Sequence, residues 1–239
     1  MTLTIRCKKT CKVQKYTLAS STISQLGFVL AAPAAAGFYA LTHGLAKASL
    51  FLIAGNLPSR QFQSLRQTSL QPLVWGALAI ASFSISGLPL LAGFGAKSLT
   101  FKQLDGWQAI VMNLAAVGTA IAFAKFIFLP FANPLTQLPE KAEIKTATKM
   151  ATKEKPMTGF WIALALLLSG LLGFNGLYPQ AYTIETLGKA LITVGAGWLV
   201  YFLVFRKISL RLPRVLEQFD HLIGVMSLML TLLFWMVLT

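Results

Sequence analysis

Charge is scarce in this sequence, and acidic charge is scarcest. Asp, Glu, Lys and Arg make up 12% of the 239 residues, where a soluble domain carries about a quarter. Seven residues are acidic against 21 basic. Cysteine and histidine are almost missing: Cys7, Cys11, His43 and His221 are all there is. Two thiols four residues apart, with no second pair, do not close a structural zinc site. They are too few for an iron–sulfur cluster, and read as free thiols in a cytoplasmic segment. No G-x-G-x-x-G follows a strand pattern, so no flavin or nicotinamide site is written here. The expectation is a chain with no metal and no cofactor of its own, not itself a catalyst. Nucleic acid is excluded as a partner, although the net charge is +14. The basic residues fall in short clusters between apolar runs and lack aromatic interleaving. No small-residue cleavage pattern follows the basic N-terminus, so no signal peptide is expected.

What is abundant is hydrocarbon: 56% of residues are hydrophobic and 17 are Phe. The apolar runs divide into about seven spans, near 16–32, 34–55, 73–101, 107–129, 157–178, 187–205 and 222–238. The fold class expected is an all-α polytopic membrane protein with the third helix discontinuous. Four parts follow. They are a basic N-terminus (1–15), a four-span core (16–130), a polar loop (131–156) and three C-terminal spans (157–239). With seven crossings, sixteen of the 21 Lys and Arg fall on one side. By the positive-inside rule that side is cytoplasmic, and the C-terminus lies opposite. Trp75, Trp107, Trp161, Trp198 and Trp235 read as interface anchors.

Residues 38–55, FYALTHGLAKASLFLIAG, organise the rest. About 20 apolar residues cross a bilayer, yet His43 and Lys47 lie inside this run. Four residues apart, they share one helical face, with Tyr39 a turn earlier. An ionisable group at such depth marks an ion or proton path, or a pairing site inside a bundle. Burial disfavours a lysine's charged form, which suits it to load and release a proton. A neutral imidazole both accepts and donates. The bland alternatives are a structurally paired lysine and a core histidine bonded to backbone. Further along, SGLPLLAGFGAKS sets Gly87, Pro89, Gly93 and Gly95 within nine residues, enough to break a helix. In a membrane such a break is tolerated where the freed backbone faces protein or water. Lys97 follows it, and Lys125 stands near the end of the fourth span. Ser21, Ser24 and Gln25 line one side of the first span, to hold water or to bond a neighbouring helix.

Three stretches then carry a resemblance. KYTLASSTISQLGFVL, FYALTHGLAKASLFLIAG and SISGLPLLAGFGAKSLTF resemble successive helices of the antiporter-like membrane subunits of complex I (NADH:quinone oxidoreductase) and Mrp-type cation/proton antiporters. The match is to the C-terminal half of such a subunit, strongest over about residues 13–130. It implies that His43 and Lys47 sit in the central polar axis of a proton path. It implies that Lys97 ends the half-channel toward the far side. Lys125 aligns with a basic residue of the next helix, and Tyr39 stands where some members have a second histidine.

The resemblance implies part of a proton (or Na⁺/H⁺) translocation path, in a multisubunit quinone oxidoreductase-like or antiporter complex. Its partners would be the lipid bilayer, other membrane subunits and a chain supplying the missing N-terminal half. Its location would be an energy-coupling membrane, a prokaryotic plasma membrane or a thylakoid. The first repeat's Glu and Lys are lacking, and the one candidate intramembrane carboxylate is Glu185, at a helix end. The competing expectation is therefore a truncated, non-conducting structural or assembly subunit.

Overall fold

The computed structural model describes residues 13–59, 62–67, 69–131, 158–205 and 231. The expected seventh span, most of the polar loop, Cys7, Cys11, Asp220 and His221 lie outside the described residues. Among those described there are eight α-helices and no strand. They are α1 (Val13–Ala31), α2 (Pro33–Asn56), α3 (Phe62–Gln67), α4 (Pro72–Ser86), α5 (Ala92–Phe101), α6 (Gly106–Ile127), α7 (Thr158–Gly173) and α8 (Ile184–Val200). Short 3₁₀ turns follow α7, and a π turn, Tyr201–Phe205, extends α8. Pro33 and Pro72 stand at helix starts, where the missing N–H is no loss. Thr183 caps α8 in a reciprocal pair with Thr186.

Four helical segments are long and apolar enough to cross a bilayer: Pro33–Asn56, Gly106–Ile127, Thr158–Leu177 and Ile184–Val204. The third expected span is α4 and α5 together. The stretch between α2 and α4, outside the expected spans, contains the short helix α3. Its Phe62 and Leu65, three apart, share an apolar face. Leu65 is fully buried, and the Phe62 ring meets Phe126 edge-on at 4.9 Å.

The second helix is the hub. It packs against α1, α4, α5 and α7, while α6 packs between α4 and α8. One apolar cluster, with Leu50, Ile53, Leu78, Phe123 and Leu171, fills the space among α2, α4, α6 and α7. A second, with Phe28, Tyr39, Ala96 and Met112, fills that among α1, α2, α5 and α6. Leu114, Ile162, Leu166, Ile184 and Ile192 point outward and are exposed. The buried set, in contrast, includes Ser49, Ser82, Ser84, Ser86 and Thr100. Large apolar groups outside with small and hydroxyl groups between helices is the arrangement a bilayer favours. The protein is an all-α polytopic membrane protein.

The break is built from backbone chemistry. Gly87 takes φ +86°, a left-handed conformation easy only for glycine. Its N–H bonds back to the carbonyls of Phe83 and Ser84, and Leu88 N–H to Phe83, closing the end of α4. Leu90 also has positive φ, 77°. Its N–H is tied at 3.0 Å to the Tyr182 hydroxyl, which donates at 2.6 Å to Asn175 Oδ1. The chain then re-enters helix, with Gly93 pressed against α4. A Cβ there would lie 1.8 Å from the Ser84 carbonyl oxygen. Gly93→Ala is therefore expected to separate α4 from α5, lowering stability by about 2 kcal/mol or more. Gly76→Ala, with open space around its Cβ position, should leave stability nearly unchanged. Thermal unfolding of both variants in detergent checks the contrast.

Candidate functional site

The face of α2 carrying Tyr39, His43 and Lys47 turns inward. Lys47 is buried, and its ammonium donates at 2.7 Å to the Leu18 carbonyl of α1 and also to Ser21 Oγ. The Ser21 and Thr22 hydroxyls both donate to that same carbonyl, at 2.9 and 3.0 Å. Ser21 thus spends its proton on the backbone and offers its lone pairs to the lysine. The ring of Phe123 completes the pocket, its centroid 5.2 Å from Nζ, a cation–π distance.

One turn back, His43 is half-buried and its Nε2 has no hydrogen-bond partner. Its ring lies 6.2 Å from that of Tyr39, nearly parallel. The Tyr39 hydroxyl donates to Gln25 Oε1. Gln25 Nε2 donates at 2.8 Å to Thr119 Oγ1, and Thr119 donates at 2.9 Å to the Ala115 carbonyl. A buried polar chain thereby joins α1, α2 and α6.

Lys97 is 6% exposed. Its Nζ donates at 3.1 Å to the Ser86 carbonyl, at the broken end of α4. A cation at a helix C-terminus answers both the freed carbonyl and the helix dipole. The Phe28 ring centroid lies 5.6 Å from Nζ. Gly87 leaves room for the lysine stem, since a Cβ there would sit 2.8 Å from Lys97 Cδ. A cavity of about 10 Å³ has Tyr39, Thr42, His43, Ser84 and Lys97 on its wall. That is about enough for one water, so His43 on α2 and Lys97 on α5 face a common one-water space.

Not every expected residue joins this line. Ser24 is exposed on α1. Lys125 is half-buried in the last turn of α6, where its charge suits the helix dipole. Glu185 is 74% exposed and pairs with Lys189 at 2.5 Å. Among the described residues that is the one ion pair, and no carboxylate faces Lys47 or Lys97. Thr119, the Leu18 and Ser86 carbonyls and the two Phe rings were missed in the sequence. Only Thr119 left a signal there, as a hydroxyl inside an apolar run.

The fold and this buried line define a helical membrane protein with two lysines buried between its helices. The family described as NADH:quinone oxidoreductase/Mrp antiporter, TM, matches residues 12–123. Residues 12–123 are similar to that family, and the stretch contains every residue of the line. Among its relatives is NADH-ubiquinone oxidoreductase chain 5 of Petromyzon marinus, 29% identical over 86% of this chain and 36% of the relative. The chain 5 protein of Cryphonectria parasitica is 31% identical over 50% of this chain and 21% of its own length. NADH-quinone oxidoreductase subunit N of Cereibacter sphaeroides is 29% identical over 55% of this chain and 34% of its own. The chain thus spans about a third or less of the relatives it matches.

The Tyr39–Gln25–Thr119 chain is testable by itself. Tyr39→Phe is expected to leave Gln25 Oε1 buried without a donor, a loss of about 1–3 kcal/mol. Adding Gln25→Leu removes the orphaned amide, so the double variant should be less destabilised than the sum of the singles. Melting temperatures of the four proteins decide it.

Proposed function

We propose that this chain forms part of a proton (or Na⁺/H⁺) translocation path within a multisubunit membrane complex. His43 and Lys47 act as the central relay, and Lys97 as the terminal site. The observation that carries this reading is the common one-water space between His43 and Lys97. It joins a relay face on α2 to a broken-helix lysine on α5. Proton transfer through one water needs a donor on one side and an acceptor on the other: a lysine ammonium can only donate, and a neutral imidazole offers an accepting nitrogen. The hydroxyl and amide chain of Tyr39, Gln25 and Thr119 borders the same face. Ser24 and Lys125 stand further off, as candidates at the edge of the path.

The names of the relatives support placing the chain in a complex I-like or Mrp-type assembly in an energy-coupling membrane. Other membrane subunits would be its partners. Exposed Ser24 on α1 and the exposed Gly37, Leu41, Gly44 and Phe51 of α2 are a surface for such a neighbour. The basic clusters support an N-terminus on the cytoplasmic side and a C-terminus opposite.

One observation favours the second reading, a non-conducting structural subunit. The Lys47 ammonium is held by a backbone carbonyl and a serine, as a purely structural lysine would be. Vesicles holding the chain with its co-purifying subunits separate the two. On the conducting reading, Lys47→Ala and Lys97→Ala each lower the proton flux reported by a pH-sensitive dye at least about tenfold, roughly the scale of losing a positioned acid–base group. The assembled complex remains intact. Unchanged flux with a lowered melting temperature would assign both lysines to structure. Replacing Na⁺ by choline in the same assay reports whether sodium is the exchanged ion.

A further inference from the structure

Three rings run in series beside the buried line. Phe28 of α1 lies parallel to Tyr39 of α2, with centroids 5.5 Å apart and planes within 3°. Tyr39 lies nearly parallel to His43, one turn further along α2, at 6.2 Å and 16°. Both separations are those of offset stacking. Phe101 of α5 meets Phe28 edge-on at 6.2 Å, and Phe28 itself is fully buried. The tyrosine ring is therefore held by neighbours that have no freedom of their own.

The imidazole lacks the usual alternative. A histidine commonly takes its orientation from a hydrogen bond to one ring nitrogen, and the buried His43 Nε2 has none among the described residues. Among those residues the one ring packed against it is Tyr39.

The far end of Tyr39 is fixed separately. Its hydroxyl donates to Gln25 Oε1, Gln25 Nε2 donates at 2.8 Å to Thr119 Oγ1, and Thr119 donates at 2.9 Å to the Ala115 carbonyl. Every donation runs away from His43, and the last one ends on backbone. The amide in the middle donates without releasing a proton. This chain is an anchor, then, and not a branch of a proton path.

We propose that Tyr39 is a positioning residue whose ring sets the plane of the His43 imidazole on the wall of the one-water space. The bonds through Gln25 and Thr119 tie that ring to α1 and α6 and contribute stability. The consequence for transport rests on the relay role proposed above for His43; the positioning does not.

The test uses the full chain in detergent, with histidine isotope-labelled in the imidazole ring. The His43 resonances are those lost in His43→Gln. Two double variants share Gln25→Leu, so that no buried amide is orphaned, and Thr119 keeps its bond to the Ala115 carbonyl. One adds Tyr39→Phe and keeps a ring. The other adds Tyr39→Met and fills the space without one. The imidazole order parameter is expected to stay at about 0.85 in the unmodified chain and the phenyl variant, and to fall below about 0.6 in the methionine variant. Equal order in the two double variants overturns the proposal. Disorder in both also overturns it, and assigns the positioning to the hydroxyl anchor. Should the methionine variant not fold, Tyr39→Leu with Gln25→Leu takes its place and is read the same way. In the vesicle assay the methionine variant is expected to conduct about tenfold less than the phenyl variant. An order parameter that falls while the flux stays keeps Tyr39 as the positioning residue and instead overturns the relay role of His43.

Discussion

Two lysine ammonium groups, buried with no facing carboxylate among the described residues, are what this structure must accommodate. Carrying an unpaired charge into a bilayer is costly by several kcal/mol. The protein meets that cost with backbone oxygen and aromatic faces. Lys47 takes the Leu18 carbonyl, Ser21 and the Phe123 ring. Lys97 takes the Ser86 carbonyl and the Phe28 ring. A helix interior rarely has a spare carbonyl, so each solution shapes its surroundings. For Lys47, hydroxyls of α1 converge on one carbonyl that a neighbouring helix can reach. For Lys97, the helix is broken outright and its last carbonyls are freed.

The break therefore couples several features that look separate. Gly87 closes α4 and leaves space for the lysine stem, and Gly93 allows α5 to begin against α4. Tyr182, from the connection between α7 and α8, holds the backbone of Leu90. The α7–α8 connection thereby braces the loop that sets Lys97. Lys97 in turn borders two cavities, the one-water space shared with His43 and a larger one shared with Lys189. Whatever moves the break changes what that ammonium faces on either side.

The lysines also explain the hub position of α2. A helix that carries Tyr39, His43 and Lys47 on one face cannot leave that face to lipid. It must be surrounded, and α1, α4, α5 and α7 surround it. The outward positions of α6, α7 and α8 bear no such burden, and many of them are large and apolar. Polar content and centrality go together here because hydrocarbon solvates neither an imidazole nor an ammonium.

Much of this was legible in the residues. Apolar run lengths, with prolines at helix starts, dictate the spans near α1, α2, α6, α7 and α8. Gly87, Pro89 and Gly93 dictate an interruption, because neither left-handed backbone nor close helix approach suits other residues. Helical spacing alone puts Tyr39, His43 and Lys47 on one face. The sequence could not say which groups answer those side chains, because the partners are carbonyls and phenyl rings, and any residue has a carbonyl. Nor could it separate Gln25 from Ser24: adjacent in the chain, one is buried against Tyr39 and Thr119 and the other is exposed. That depends on how α1 is rotated against α2 and α6, which is decided by packing over many residues. The helix α3 was hidden for the same reason, since a six-residue helix is marginal alone and forms where Phe62 and Leu65 find Phe126. Local chemistry thus determined which segments are helices and which faces are polar. Tertiary packing decided which polar atoms meet, because that depends on distances between helices remote in the chain.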